Sequence, residues 1–65
     1  MSEMVNNNGS SMGKFFDGNV IRNEGGKAAG FMDDNVIRDN DGNERGFIHD
    51  GVIHDNGGRV TGFVR

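Results

Sequence analysis

Gly46-Phe47-Ile48-His49-Asp50-Gly51-Val52-Ile53-His54-Asp55-Asn56-Gly57-Gly58 contains two short apolar-centred runs and two different turns. Phe47-Ile48-His49 and Val52-Ile53-His54 flank Asp50-Gly51, a dipeptide that readily takes the positive φ angles of a two-residue type I′ hairpin. After the second run, Asp55-Asn56-Gly57-Gly58 reads as a type I turn closed by a left-handed glycine. The stretch therefore predicts strand, tight turn, strand and wide turn.

The same order recurs at a spacing of 16 residues. One copy runs from Lys14-Phe15-Phe16-Asp17 through Gly18-Asn19 and Val20-Ile21-Arg22 to Asn23-Glu24-Gly25-Gly26. The next runs from Gly30-Phe31-Met32-Asp33 through Asp34-Asn35 and Val36-Ile37-Arg38 to Asp39-Asn40-Asp41-Gly42. Gly62-Phe63-Val64-Arg65 begins a further copy, and Met4-Val5 lies 16 residues before Val20-Ile21. The expected fold is all-β, in four tandem 16-residue two-stranded hairpin units over a single domain, residues 1–65, ordered from about residue 4. Pairing of Phe63-Val64-Arg65 with Met4-Val5-Asn6 would close the units into a pseudo-four-fold ring and remove both open sheet edges. No helix is expected, because the 12 glycines each cost ~1 kcal/mol in a helix interior and no apolar stripe survives them. Gly, Asn and Asp supply 28 of the 65 residues, a composition shared with disordered chains, but the Val-Ile and Phe positions recur in register with the turns.

The Gly-Phe-x-x-Asp-x-Val-Ile-Arg-Asp-Asn-x-Gly pattern resembles that of the small bacterial beta-flower proteins, four-fold or five-fold rings of two-stranded hairpins. The resemblance spans residues 4–65, and four units suit four-fold symmetry. It implies a shape and a bacterial setting. It implies no established activity and supplies no catalytic residues.

Within the hairpins the expected cross-strand pairs are Phe16 with Ile21, Met32 with Ile37, Ile48 with Ile53, and Val64 with Val5, all apolar and assigned to the core. Gly30, Gly46 and Gly62 fall on that face, where they let neighbouring backbones approach. The opposite face carries Phe15, Phe31, Phe47 and Phe63 across from Arg22, Arg38, His54 and Asn6. Each Phe either packs on the next hairpin under the Arg stem opposite it or belongs to a surface for self-association or ligands. A core drawn from so short a chain barely offsets an ordering entropy of ~1.5 kcal/mol per residue, which favours self-association through the Phe face.

Other chemistry is sparse. Without cysteine there is no disulfide, thiolate metal site or thiol nucleophile. A net charge of −3 and a pI near 5.1 argue against a nucleic-acid partner. No apolar run approaches the ~20 residues of a membrane-spanning helix, and Met1-Ser2-Glu3-Met4-Val5-Asn6 lacks the features of a secretory leader, so no membrane partner and a cytoplasmic location are expected. Asn8-Gly9-Ser10 fits the glycosylation acceptor pattern by chance in a chain this rich in Asn and Ser. Asp17 and Asp33 lie diagonal to Arg22 and Arg38, while the third unit has His49 and His54 at those positions and the fourth Arg65 and Asn6. The two histidines, with Asp50 or Asp55, make half a zinc site at best, so no metal or other cofactor is expected. Asp39-Asn40-Asp41-Gly42-Asn43-Glu44 fails the EF-hand spacing, and Gly25-Gly26-Lys27 fails the phosphate-loop spacing. Ser2, Ser10, Ser11 and Thr61 have no repeat-encoded His and Asp partners. The reading is a non-enzymatic structural or protein-interaction module. The alternative is a multivalent small-ligand or glycan-binding module that uses Phe15, Phe31, Phe47, Phe63, Arg22 and Arg38, or the repeated turns.

Overall fold

A computed structural model describes residues 2–65 as eight antiparallel strands closed into a barrel, with no helix among the described residues. The strands are β1 (Ser2–Asn6), β2 (Ser11–Asp17), β3 (Val20–Asn23), β4 (Ala28–Asp33), β5 (Val36–Asp39), β6 (Glu44–His49), β7 (Val52–His54) and β8 (Val60–Val64). Each strand pairs with its sequence neighbours, and β1 pairs with β8 to complete the circuit. Among the described residues, closure leaves no edge strand available for pairing with another chain.

Turn chemistry sets this meander. Asp50 and Gly51 have φ of 52° and 78°, both left-handed as a type I′ turn requires. At Gly18-Asn19 and Asp34-Asn35 only the first residue has positive φ, 62° and 55°, so these turns differ from Asp50-Gly51. The wide turns share another device: the Oδ1 atoms of Asn6, Asn23, Asp39 and Asp55 each accept two backbone N–H bonds from residues two and four positions ahead. Each of these side chains satisfies donors that the turn would otherwise leave unpaired.

The hairpin registers pair Phe16 with Ile21, Met32 with Ile37 and Ile48 with Ile53, as the sequence predicts. The closing register does not follow the expectation. Val64 faces Met4 rather than Val5, Val5 faces Phe63, and Asn6 faces Gly62. A one-residue slip exchanges the two faces of a strand, so Met4 joins the central cluster in the place expected for Val5. Met4, Ile21 and Ile53 form the buried cluster, with Met12, Phe16, Met32, Ile37, Ile48 and Val64 packed against it. Val5 is equally buried but lies outside that cluster.

The slip originates in β2. Gly9 precedes Phe15 by six residues, whereas Gly26, Gly42 and Gly58 precede Phe31, Phe47 and Phe63 by five. The extra residue is absorbed as a bulge: Met4 faces Lys14 and Val5 faces Ser11, leaving Met12 and Gly13 unpaired, with Gly13 at φ 75°. Lys14 occupies the position held 16 residues apart by Gly30, Gly46 and Gly62. A Cβ on any of those three glycines would collide with a backbone carbonyl oxygen, that of Arg38, His54 or Val5 respectively.

Side chains tie adjacent wide turns together. Asn40 Nδ2 donates to the Ala28 carbonyl and Asn56 Nδ2 to the Glu44 carbonyl, each at 3.0 Å. Asn7 Nδ2 makes the corresponding bond to the Val60 carbonyl, also at 3.0 Å, between the first and last strands' turns.

Candidate functional site

Two surfaces carry enough chemistry to act on another molecule. The first is the outer face. Strand alternation that sends Phe16, Met32, Ile48 and Val64 inward sends Phe15, Phe31, Phe47 and Phe63 outward. Phe31 and Phe63 are 36% and 42% exposed, while Phe15 and Phe47 are half-buried. Phe15, Phe31 and Phe47 lie across from Arg22, Arg38 and His54, but Phe63 has Val5 opposite in place of the expected Asn6. Asn6 is instead occupied in holding its own wide turn.

The cations on this face are held in place. Arg22 Nε lies 3.0 Å from Asp17 and its Nη1 donates to the Gly26 carbonyl at 2.9 Å. Arg38 repeats the pattern with Asp33 at 3.1 Å and the Gly42 carbonyl at 2.9 Å. His54 takes the same role: its ring stacks on Phe47 with centroids 4.6 Å apart, and Nδ1 lies 3.1 Å from the Gly58 carbonyl. His49 lies across from Val52, with Nε2 3.3 Å from Asp50. The two histidines are thus engaged separately, and among the described residues no group of three or more His, Asp or Glu is arranged to hold a metal ion. Across the β1–β8 closure Arg65 meets Glu3 at 3.1 Å, a partner produced by the slipped register. The Ser11 hydroxyl and the Arg65 guanidinium beside Glu3 hold its carboxyl below the usual carboxylate range.

A groove of about 180 Å³ runs beside Phe15, bordered by Arg22, Asn23, Glu24 and Gly26. It places an aromatic ring next to polar groups from one wide turn.

The second surface is the wide-turn end of the barrel. There a cavity of about 440 Å³ has Met4, Ile21, Ile37 and Ile53 as its floor, with Met12, Ala29 and Thr61 on its walls. Lys14, Arg38, Asp39, Arg45, His54 and Asp55 complete its lining. The N–H groups of Asn43 and then Asp41 hold the Asp39 carboxyl below its ordinary value, aided by the Asn43 amide and Arg45. The tight-turn end has a shallower depression of about 340 Å³ over Phe16, Met32, Ile48 and Val64.

Sequence reasoning missed the larger cavity. Ala29, Arg45 and Thr61 share the parity of Phe31, Phe47 and Phe63, so strict alternation assigns them to the outer face. The register shifts in the β3–β4, β5–β6 and β7–β8 pairs leave these three residues without a cross-strand partner in those ladders, and they line the cavity instead. Their position directly before Gly30, Gly46 and Gly62 was the available signal, since a glycine in a strand marks a bulge or close backbone approach.

Among the described residues, no helix is long and apolar enough to cross a membrane. Compared with known proteins, no family model matches the chain, and neither a curated protein nor a solved structure matches it.

Proposed function

We propose that this protein is a non-catalytic interaction module, a beta-flower-like ring of four hairpin units that associates with further copies of itself through its outer aromatic face. The four-unit reading is supported by the side-chain bonds that recur from one wide turn to the next, including the Asn7 bond across the closure. The observation that carries the interaction reading is the exposure of Phe31 and Phe63, at 36% and 42%, on the face that also holds Phe15 and Phe47. β4 and β8 stand on opposite sides of the eight-strand barrel, so Phe31 and Phe63 offer each copy two separate apolar contacts to its neighbours. Covering each exposed ring contributes roughly 2 kcal/mol at ~25 cal/mol per Å². That is a useful supplement to a core whose buried hydrophobic residues, among the described residues, are Met4, Val5, Ile21 and Ile53.

Sedimentation velocity across a concentration series tests this. The apparent mass of the wild type is expected to rise with concentration, and that of the Phe31→Ser/Phe63→Ser double variant to stay at the monomer value with an unchanged far-UV spectrum. A wild-type mass fixed at 7.0 kDa at every concentration refutes self-association.

One observation favours a second reading. The groove beside Phe15 sets an aromatic ring against Arg22, Asn23 and Glu24, the combination that stacks on and hydrogen-bonds a sugar ring. A glycan array probed with the wild type and with Phe15→Ala distinguishes the two, since only a glycan-binding module gives signals that the variant loses.

A further inference from the structure

We infer that the cavity at the wide-turn end is a binding site for a small amphipathic anion, an apolar chain ending in a carboxylate. This goes beyond the outer-face reading and does not depend on it. The volume of about 440 Å³ lies within the range of ~300–1,000 Å³ in which small-molecule pockets fall. Its floor is the apolar centre of the barrel, Met4, Ile21, Ile37 and Ile53. The flexible side chains of Met4 and Met12 can adjust to the outline of a chain placed against them.

The charges around the cavity separate into those already committed and those that are not. Arg38 is bound to Asp33 and the Gly42 carbonyl, and His54 to the Gly58 carbonyl and the Phe47 ring. Asp39 accepts from the N–H groups of Asp41 and Asn43, and Asp55 from those of Gly57 and Arg59. Two cations remain. Lys14 makes no ion pair among the described residues, and Arg45 reaches Asp39 only at 3.9 Å with its side chain 67% exposed. The cavity thus combines an apolar interior with one cation unpaired among the described residues, Lys14, and one held only by a long, exposed contact, Arg45, complementary to an apolar body with an anionic head.

Both cations are local departures from the pattern around them. Lys14 stands where Gly30, Gly46 and Gly62 stand at 16-residue spacing, and it is accommodated by the extra residue and the left-handed Gly13. Arg45 stands where the same spacing has Ala29 and Thr61. Two independent substitutions of a small residue by a long cation line the same cavity. Turn chemistry and core packing require neither of them.

Decanoate, kept below its micelle concentration, serves as the probe and decanol as its uncharged counterpart, each titrated into the full chain by calorimetry and by methyl-resolved NMR. Decanoate is expected to bind and to shift the methyl signals of Met4, Met12, Ile21 and Ile53. The Lys14→Met/Arg45→Met variant is expected to lose about tenfold in decanoate affinity, the worth of one charge-assisted hydrogen bond, with decanol affinity unchanged. Ala29→Phe, which fills the cavity, is expected to abolish binding of both while the thermal transition shows the chain still folded. Absence of decanoate binding overturns the inference. So does equal loss of decanol affinity in the double variant, or methyl shifts that spare Met4, Met12, Ile21 and Ile53. Because no outcome depends on the sedimentation behaviour, failure here leaves the self-association reading standing.

Discussion

Replacing Gly46 by alanine tests the geometry on which barrel closure rests. Gly46 sits in β6 with Ile37 of β5 on one side and the end of β7 on the other. A Cβ there would collide with the His54 carbonyl oxygen, and the next nearest atoms, the His54 carbonyl carbon at 3.3 Å and Asp55 Cα at 3.4 Å, are also backbone. No rotamer change can relieve that overlap, so β7 must move away from β6. Forcing extra volume into a packed site costs ~1–3 kcal/mol, and a backbone neighbour places this change in the upper part of that range, about 2–3 kcal/mol. For a domain of this size each kcal/mol lowers the melting temperature by ~4–8 °C, so a fall of about 10–20 °C is expected. Far-UV circular dichroism is the assay, because the chain has no Trp or Tyr to report by fluorescence. Gly25→Ala is the matched control: its nearest neighbour is the Asn23 Oδ1 atom at 3.5 Å, an ordinary contact, so its melting temperature should stay level or rise slightly. Equal melting temperatures for Gly46→Ala and the wild type would refute the close approach and the bulged register that creates it.

Three further outcomes follow from the same geometry. Ile21→Ala, at the most buried core position (2% exposed), should cost about 2–5 kcal/mol in urea unfolding, against under 1 kcal/mol for Val60→Ala at an exposed site. Asp33→Asn removes an ion pair whose partners are 57% and 31% exposed, so the loss should be below about 1 kcal/mol and should shrink further at high salt, as double-mutant cycles with Arg38→Gln would measure. The carboxyls of Glu3 and Asp39 titrate below their unfolded values, so their contribution is complete above the ordinary carboxylate pKa and is lost as pH falls through the lowered values. Acid melting curves should therefore fall less steeply for Glu3→Gln and Asp39→Asn than for the wild type.

The readable part of the fold was local. Asp50-Gly51, Gly18-Asn19 and Asp34-Asn35 each fix a hairpin by turn chemistry, and the three registers between Phe16–Ile21, Met32–Ile37 and Ile48–Ile53 follow from period-two alternation. The diagonal Asp17–Arg22 and Asp33–Arg38 contacts were also legible, because spacing across a two-residue turn determines which side chains meet. Alignment on the apolar pairs hid the insertion in β2. Met4 matches Ile21 when the wide-turn glycines are aligned instead, since Met4 precedes Gly9 by five residues just as Ile21 precedes Gly26. The cavity was illegible for a related reason: bulges reverse the alternation on which any assignment of Ala29, Arg45 and Thr61 depends.

Closure explains why the extra residue had to be absorbed where it was. An open sheet can pass a one-residue insertion to its free edge, but a closed sheet returns to its own first strand and the slip must appear in some ladder. Here it appears twice, as Met12 and Gly13 left unpaired in β1–β2 and as the displaced register of β1–β8. Both events fall on β1, so the remaining hairpins keep their spacing. On β1 the displacement puts Met4 rather than Val5 in the central cluster, and both side chains are buried. It also sets Arg65 against Glu3 and lets Asn7 reach the Val60 carbonyl. The displaced pairing therefore shows in the two ladders that β1 makes, with β2 and with β8, and the extra residue in β2 brings Lys14 to the lining of the cavity.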